Sequence, residues 1–315
     1  MRIQSIASAG LASVALMLGA QAATAQVDLS GNWAARLHED YHSRGPGPNA
    51  VDYLGIPLNA QGRANALGYS ADTISEPQRQ CLYWPPHYLL EGPFSLKLWA
   101  DTDPVNGAVV AWNISGSADR APMKIWMDGR PRPDPDALRS QAGFTIGQWQ
   151  GDTLVATTTN IKDGYLTRNG VPSSDQETLT LWISRHEETL TVTGIIQDPD
   201  YLSEPYVLSR DFKLDPQISI PLLPPACIPE DEVPSLATNP VPHFLPGRNP
   251  ALMDMTKLYH IPLEAVLGGA QTMYPEFRKK IKAAYTVPGE CSQYCCGWGL
   301  NLFNENTLLE CKRGP

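Results

Sequence analysis

Apolar and polar residues alternate over most of the chain between Pro93 and Leu214. In "FSLKLWA" Leu96 and Leu98 fall on one face; in "GAVVAWNIS" Val110, Trp112 and Ile114 do. "DTLVATTTN", "ETLTLWISRH", "TLTVTGIIQD" and "YVLSRDFKL" repeat the period of two and are rich in Thr, Val, Ile and Leu, which suit a half-buried pleated surface. Gln150-Gly151-Asp152 and His186-Glu187-Glu188 each fit a tight hairpin. An opening strand is expected in "QVDLSGNW", Gln26 to Trp33. Successive strands joined by short turns, without helices between them, predict a mainly β fold built as an antiparallel meander. Six to eight such strands close into a barrel or fold as a β-sandwich.

The flanks follow other patterns. "AARLHEDYHSRGPGPNAVDYLGIPLNAQGR" is polar and rich in Gly and Pro, which predicts a long irregular loop. A short helix is expected from about Ala60 to Leu67. Residues 215–248, with "IPLLPPACIPEDEVP", form a Pro-rich linker too rigid for a strand. A helical extension, residues 249–287, comes next. Asn249 caps and Pro250 takes the first position of "PALMDMTKLYH"; Pro262 opens "PLEAVLGG"; Pro275 opens "PEFRKKIKAAY". Residues 288–315 form a Cys-rich tail.

The first 25 residues have the build of a secretory leader: a basic Met1-Arg2, the apolar run "IASAGLASVALMLGA", and Ala23-Thr24-Ala25 as a small-x-small cleavage site. The expectation is a periplasmic or secreted protein cleaved after Ala25, with no membrane insertion, since no other stretch approaches the roughly 20 apolar residues of a spanning helix. About 290 residues then remain, enough for one large β domain. A formal net charge of -9 argues against nucleic acid and anionic membranes as partners.

Export makes disulfides the expected state of the six cysteines. The simplest pairing joins Cys81 to Cys227, with two bridges inside the tail. Adjacent Cys295 and Cys296 rarely pair with each other, so Cys291 is expected to bond one and Cys311 the other. A four-thiolate zinc site competes, but the spacing C-x3-C-C-x14-C lacks the usual C-x2-C knuckle.

"MDGRP", "GQWQGDTLV", "NGVPSSDQ" and "DPDYLSEP", with the later isolated Cys227, resemble a large family of exported bacterial proteins; "HEDYHSRGPGP", "VPHFLPGRNP" and "GGAQTMYPEF" resemble one branch of it. The resemblance runs to about Phe277. It implies export and a β fold and carries no established activity. Arg132, Phe144 and Ser173 stand where many relatives have His, so a metal or acid–base site built on those histidines would be lost here. The Cys-rich tail departs from the pattern. Separately, "LSGNW" resembles the opening Gly-x-Trp of calycin barrels such as lipocalins, which are cups for small apolar ligands. With the meander, that favours a barrel over a sandwich.

Several groups are candidates for chemistry. His38, Glu39 and Asp40, with Arg44 behind them, form the densest polar cluster; a His beside a carboxylate suits a general base, and a solvated loop gives the same composition. Asp128-Gly129 is a turn signal, with Asp128 tying its own turn. Arg130 is a planar cation suited to a ligand's carboxylate or phenolate, or equally to clamping Asp152 or Asp175. Tyr53 and Trp149 are aromatic candidates for a pocket wall, or core residues. Lys162, Arg168 and Asp175 lie in "IKDGYLTRNGVPSSDQ", a long connection of the kind that forms lids. The His38–Arg44 loop, Arg130 and the Lys162–Asp175 loop are expected to converge at one barrel mouth.

No metal set, Gly-x-Ser-x-Gly elbow or phosphate loop occurs, so no cofactor is expected. The sequence leaves the oligomeric state open. The leading function is binding of a small, partly apolar or aromatic ligand with an anionic or carbonyl oxygen. A cofactor-free hydrolase, lyase or isomerase, and an envelope structural or interaction protein, are the alternatives.

Overall fold

The computed structural model describes residues 27–36, 44, 47–69, 80–116, 122–220, 228, 244–245 and 247–284. Strands β1 (Gly31–Ala35), β2 (Leu96–Thr102), β3 (Val109–Ser115), β4 (Met123–Trp126), β5 (Phe144–Gln150), β6 (Thr153–Thr159), β9 (Thr178–His186), β10 (Thr189–Gln197) and β11 (Tyr206–Leu214) close into one barrel. Its order is β1-β11-β10-β9-β6-β5-β4-β3-β2, with β2 returning to β1. The short strands β7 (Gly164–Tyr165) and β8 (Pro172–Ser173) pair outside it as a flap.

Period-two patterning works as expected. Leu96 and Leu98, Leu154 and Ala156, Leu179, Leu181 and Ile183, and Leu190, Val192 and Ile196 are all buried inside. Each such apolar side chain stabilises the fold by roughly 1.5–3 kcal/mol. Gly151-Asp152 and Glu187-Glu188 are two-residue hairpin turns, with φ of 60° at Gly151 and 52° at Glu187. Gly31 has φ 146°, and a Cβ there would lie 2.6 Å from Leu214 Cδ1. Two residues on, Trp33 is wholly buried; its indole donates to the Leu29 carbonyl at 3.0 Å, and the Arg185 guanidinium lies 5.3 Å from its ring.

Two features differ from the expected meander. The barrel has nine strands instead of six to eight; the short β4 is the one not expected, while β1 overlaps the expected opening strand. And β4 pairs with β5 in parallel, Ile125 opposite Thr145 and Trp126 opposite Ile146. The cause lies in the intervening "RPRPDPDAL". Pro131, Pro133 and Pro135 lack backbone N–H groups, so this segment cannot add an antiparallel strand and instead returns outside the sheet.

Helix α1 (Ala60–Gly68) is capped by Asn59, which accepts from Gly62 N at 2.9 Å. Helix α2 (Tyr88–Glu91) has no counterpart in the sequence reading. In the C-terminal region Asn249 caps a 3-10 turn, Pro250–Met253, which runs into α3 (Asp254–Tyr259). Helix α4 (Leu263–Val266), a 3-10 turn at Ala270–Met273 and α5 (Pro275–Ala284) follow. Met255 and Val266 join the core cluster beside Val51, Tyr53 and Leu58. No helix among the described residues is long and apolar enough to cross a membrane.

Cys81 is disulfide-bonded. Cys227, Cys291, Cys295, Cys296 and Cys311 lie outside the described residues, as do the expected leader, residues 1–25, and the Cys-rich tail.

Candidate functional site

The barrel lumen is not an empty cup. Helix α2 enters the end where β10 finishes and β11 begins, and Tyr88, Leu89 and Leu90 are all buried. Leu90 reaches β10 at Gly194, where a Cβ would overlap Leu90 Cδ1. The stopper is tied on several sides. Arg210 Nη1 donates to the Leu89 carbonyl at 3.4 Å, Arg44 donates to the Leu90 carbonyl, and Tyr206 donates its hydroxyl to Glu91 Oε1 at 2.9 Å. Between β5 and β6, the buried Thr145 and Thr158 hydroxyls meet at 2.8 Å.

His87 precedes α2 and anchors it. Its side chain and that of Glu177 are both fully buried, with Nδ1 2.7 Å from Glu177 Oε1. Its Nε2 lies 3.0 Å from the Tyr165 carbonyl oxygen. A carbonyl oxygen only accepts, so Nε2 carries a hydrogen and Nδ1 faces the carboxylate. Both ring nitrogens are therefore committed, and His87 has no lone pair to offer a substrate. Burial opposes the imidazolium, but the Glu177 charge and hydrogen bond, the Tyr165 carbonyl and the Glu91 charge outweigh it and raise the His87 pKa.

Glu177 also borders a cleft of about 440 Å³ on the outside of the barrel, lined by Arg132, Pro133, Pro135, Arg139, Asn160 and Asp175 among others. One wall is the returning Pro-rich segment; the other is the end of β6 and the turn before β9. Asn160 holds the walls together. Its backbone is left-handed, with φ 54°, which Asn tolerates better than most residues. Its Nδ2 donates to the Asp134 carbonyl at 3.0 Å, and its own carbonyl accepts from Ser140 N at 3.1 Å. Arg139 Nε donates to the Asp175 backbone carbonyl at 3.0 Å and lies 3.1 Å from Asp175 Oδ2. Behind the turn, Asp198 accepts from Ser174 N and Ser174 Oγ, each at 2.7 Å, and from the backbone N–H groups of Asp200 and Tyr201. Arg132 is exposed and has no ion-pair partner among the described residues.

The expected convergence at a mouth holds only in part. His38, Glu39 and Asp40 lie outside the described residues. The segment after them does meet the long connection: Asn169 Nδ2 donates to the Asn49 and Asp52 carbonyls at 2.9 and 2.7 Å, and Arg168 Nε donates to the Tyr88 hydroxyl at 2.6 Å. Tyr53 is a core residue; its hydroxyl has no hydrogen-bond partner among the described residues and burial pushes its pKa up. Trp149 packs against the barrel core. Lys162 is exposed, and its backbone N–H donates to the Ser140 carbonyl at 3.0 Å.

Arg130 stands apart from these groups. It clamps neither Asp152 nor Asp175. Its Nη2 lies 2.5 Å from Asp128 Oδ2, and its guanidinium lies over Trp126, 3.3 Å from the ring centre. Asp128 also ties its own turn, accepting from Arg130 N at 3.3 Å. Of the residues singled out by sequence as ligand-binding, Asp175 is the one that lines the cleft. Arg132, Arg139, Asn160 and the His87–Glu177 pair were not among them.

Comparison with known proteins adds no further constraint: no family model, no curated protein and no solved structure matches the chain.

Proposed function

We propose that the chain is an exported binding protein for a small, partly apolar ligand that presents an anionic or carbonyl oxygen, and that the ligand sits in the outer cleft, not in the barrel. The observation that carries the reading is Arg132, an uncommitted cation on a proline-walled cleft of about 440 Å³, in a chain of net charge -9. Arg139 adds a second guanidinium, which is paired with Asp175 Oδ2 at 3.1 Å. With Glu177 balanced by His87, the cleft favours a monoanion. Its volume is within the usual range of small-molecule sites, and Pro133 and Pro135 give it rigid apolar surface.

Helix α2, whose Leu89 and Leu90 are buried in the barrel, favours a second reading, an envelope interaction protein. One experiment separates the two. Protein from its own host is examined by native mass spectrometry, and purified protein is titrated with benzoate by amide NMR. Co-purified small molecules, or benzoate shifts centred on Asn160 and Gln176 that vanish in Arg132→Gln, support the binding reading. Absence of both removes it.

A further inference from the structure

We infer that Leu54, Met273 and Tyr274, with the cations of α5, dock the protein peripherally on an anionic lipid surface. None of these residues lines the outer cleft. The charge of the whole chain is -9, yet α5 (PEFRKKIKAA) gathers Arg278, Lys279, Lys280 and Lys282 against Glu276 alone. Lys280 is paired with Glu264 at 2.7 Å. Arg278, Lys279 and Lys282 are exposed and have no ion-pair partner among the described residues. The helical period sets Arg278 one turn after Tyr274, and Lys282 one turn after Arg278, on one stripe. Arg278 N donates to the Tyr274 carbonyl at 3.2 Å, which fixes Tyr274 at the head of that stripe. Met273 and Tyr274 are 54% and 53% exposed.

Leu54 reaches the same place on a strained turn. Ile56 N donates to the Tyr53 carbonyl at 2.8 Å, closing a turn whose central residues, Leu54 and Gly55, have φ of 52° and 74°. A Cβ on Gly55 would lie 2.6 Å from Met273 Sδ, so the turn sits against Met273. Two positive φ values suit Asn-Gly, and a leucine at the first of them is sterically unfavourable. Burial does not compensate, since Leu54 is 41% exposed. A leucine both strained and wet has its reason outside the chain, in something that takes it up. A bilayer headgroup region fits the chemistry: exposed apolar tips, a tyrosine suited to the boundary between water and lipid, and unpaired cations beside them. The acidic remainder of the molecule does not cancel the attraction, because salt confines each charge to about 8 Å.

The test sediments the full chain with vesicles of phosphatidylcholine alone, or with about a quarter phosphatidylglycerol, at about 50 and about 500 mM salt. Binding is expected with the anionic vesicles at low salt, and little without phosphatidylglycerol or at high salt. Each cation near such a surface contributes a factor of roughly five, so Arg278→Gln/Lys279→Gln/Lys282→Gln should weaken binding about tenfold or more. Leu54→Asn should weaken it several-fold while its urea midpoint holds or rises, because Asn suits the turn. No sedimentation with anionic vesicles, or equal sedimentation with neutral ones, overturns the inference. Binding that the triple variant loses but Leu54→Asn and Tyr274→Ser both keep overturns the apolar contact and leaves a diffuse charge effect. Self-association in the ultracentrifuge that the triple variant abolishes, without vesicle binding, assigns the surface to a second copy of the chain and overturns the lipid partner.

Discussion

Leu90 of α2 fills the place inside the barrel that Gly194 of β10 leaves by having no side chain. The two residues are far apart in sequence, yet each determines what the other can be. A four-residue helix has no stability of its own, since nucleation costs more than one turn returns. It persists because the barrel accepts its two leucines.

The pair therefore predicts a coupled mutational response. Leu90→Ala leaves a hole and should cost about 2–5 kcal/mol. Gly194→Val forces Leu90 out and should cost about 1–3 kcal/mol. Combined, the valine occupies part of the hole left by the alanine, so the double variant should be more stable than the sum of the two losses implies, by at least about 1 kcal/mol. Urea unfolding of the four proteins measures this. Strict additivity would mean that the side chains do not compete for one space.

The latch that holds the stopper should show in the pH dependence of stability. The folded pKa of His87 is raised, so its contribution is complete below the unfolded value of about 6.5 and is lost as the pH climbs through the folded value. Stability of the wild type should thus fall as the pH rises above about 6.5, and His87→Gln should flatten that fall while lowering stability at pH 6. Removing one partner of a buried pair costs about 3–5 kcal/mol, so Glu177→Leu should be the more damaging change at pH 6. Urea midpoints from pH 6 to 10 give the comparison. A fall of equal steepness in His87→Gln would assign it to another group.

Arg130 and Arg132 are two residues apart and should behave in opposite ways. Arg130 is spent on Asp128 and Trp126, and its hydrogen bond holds the Asp128 pKa down to about 2. Arg130→Ala should return Asp128 to the ordinary carboxylate range, near 3.9, in a carbon-detected titration. It should leave benzoate binding unchanged. Arg132→Gln should weaken benzoate about tenfold and leave Asp128 as it was. Any stability that the Asp128–Arg130 contact contributes is present above pH 4 and disappears only as the pH falls through 2. Exposure and salt screening keep it small.

The same pair shows what the sequence reveals and what it hides. Strands such as Thr178–His186 were legible because every second side chain meets one core, and that leaves a period in the sequence. Asn249 and Pro275 were legible as helix starts because capping is local chemistry. The role of Arg130 was not, because nothing in "MDGRP" says that its side chain folds back over Trp126. His87 was missed since α2 is too short to carry a helical period, and Glu177 looked like one more polar residue in "SSDQETLT". The parallel pairing of β4 with β5 leaves one sign in the sequence, the three prolines between them, and prolines mark a loop without saying which way the next strand runs.

The last prediction concerns the covalent tie at the entrance to the stopper. Cys81 is disulfide-bonded and lies just before Trp84, which stacks on Tyr88 of α2 with ring centres 4.5 Å apart. Since every other cysteine is outside the described residues, the partner must be one of those five. Cys227 is expected, because it is the next cysteine after β11 in the chain, and β11 itself carries Arg210 and Tyr206, both bonded to α2. Closing a loop of well over a hundred residues is worth about 5 kcal/mol in the chain-entropy model, and measured effects are often smaller. Non-reducing peptide mapping of the purified protein should join the peptides of Cys81 and Cys227; a Cys81 peptide joined to the tail would refute the pairing. A Cys81→Ser/Cys227→Ser variant should unfold at lower urea and expose Leu89 and Leu90 amides to hydrogen exchange ahead of the β9–β10 strands. Uniform loss of protection would instead mean that the bond stabilises the barrel as a whole and not the stopper in particular.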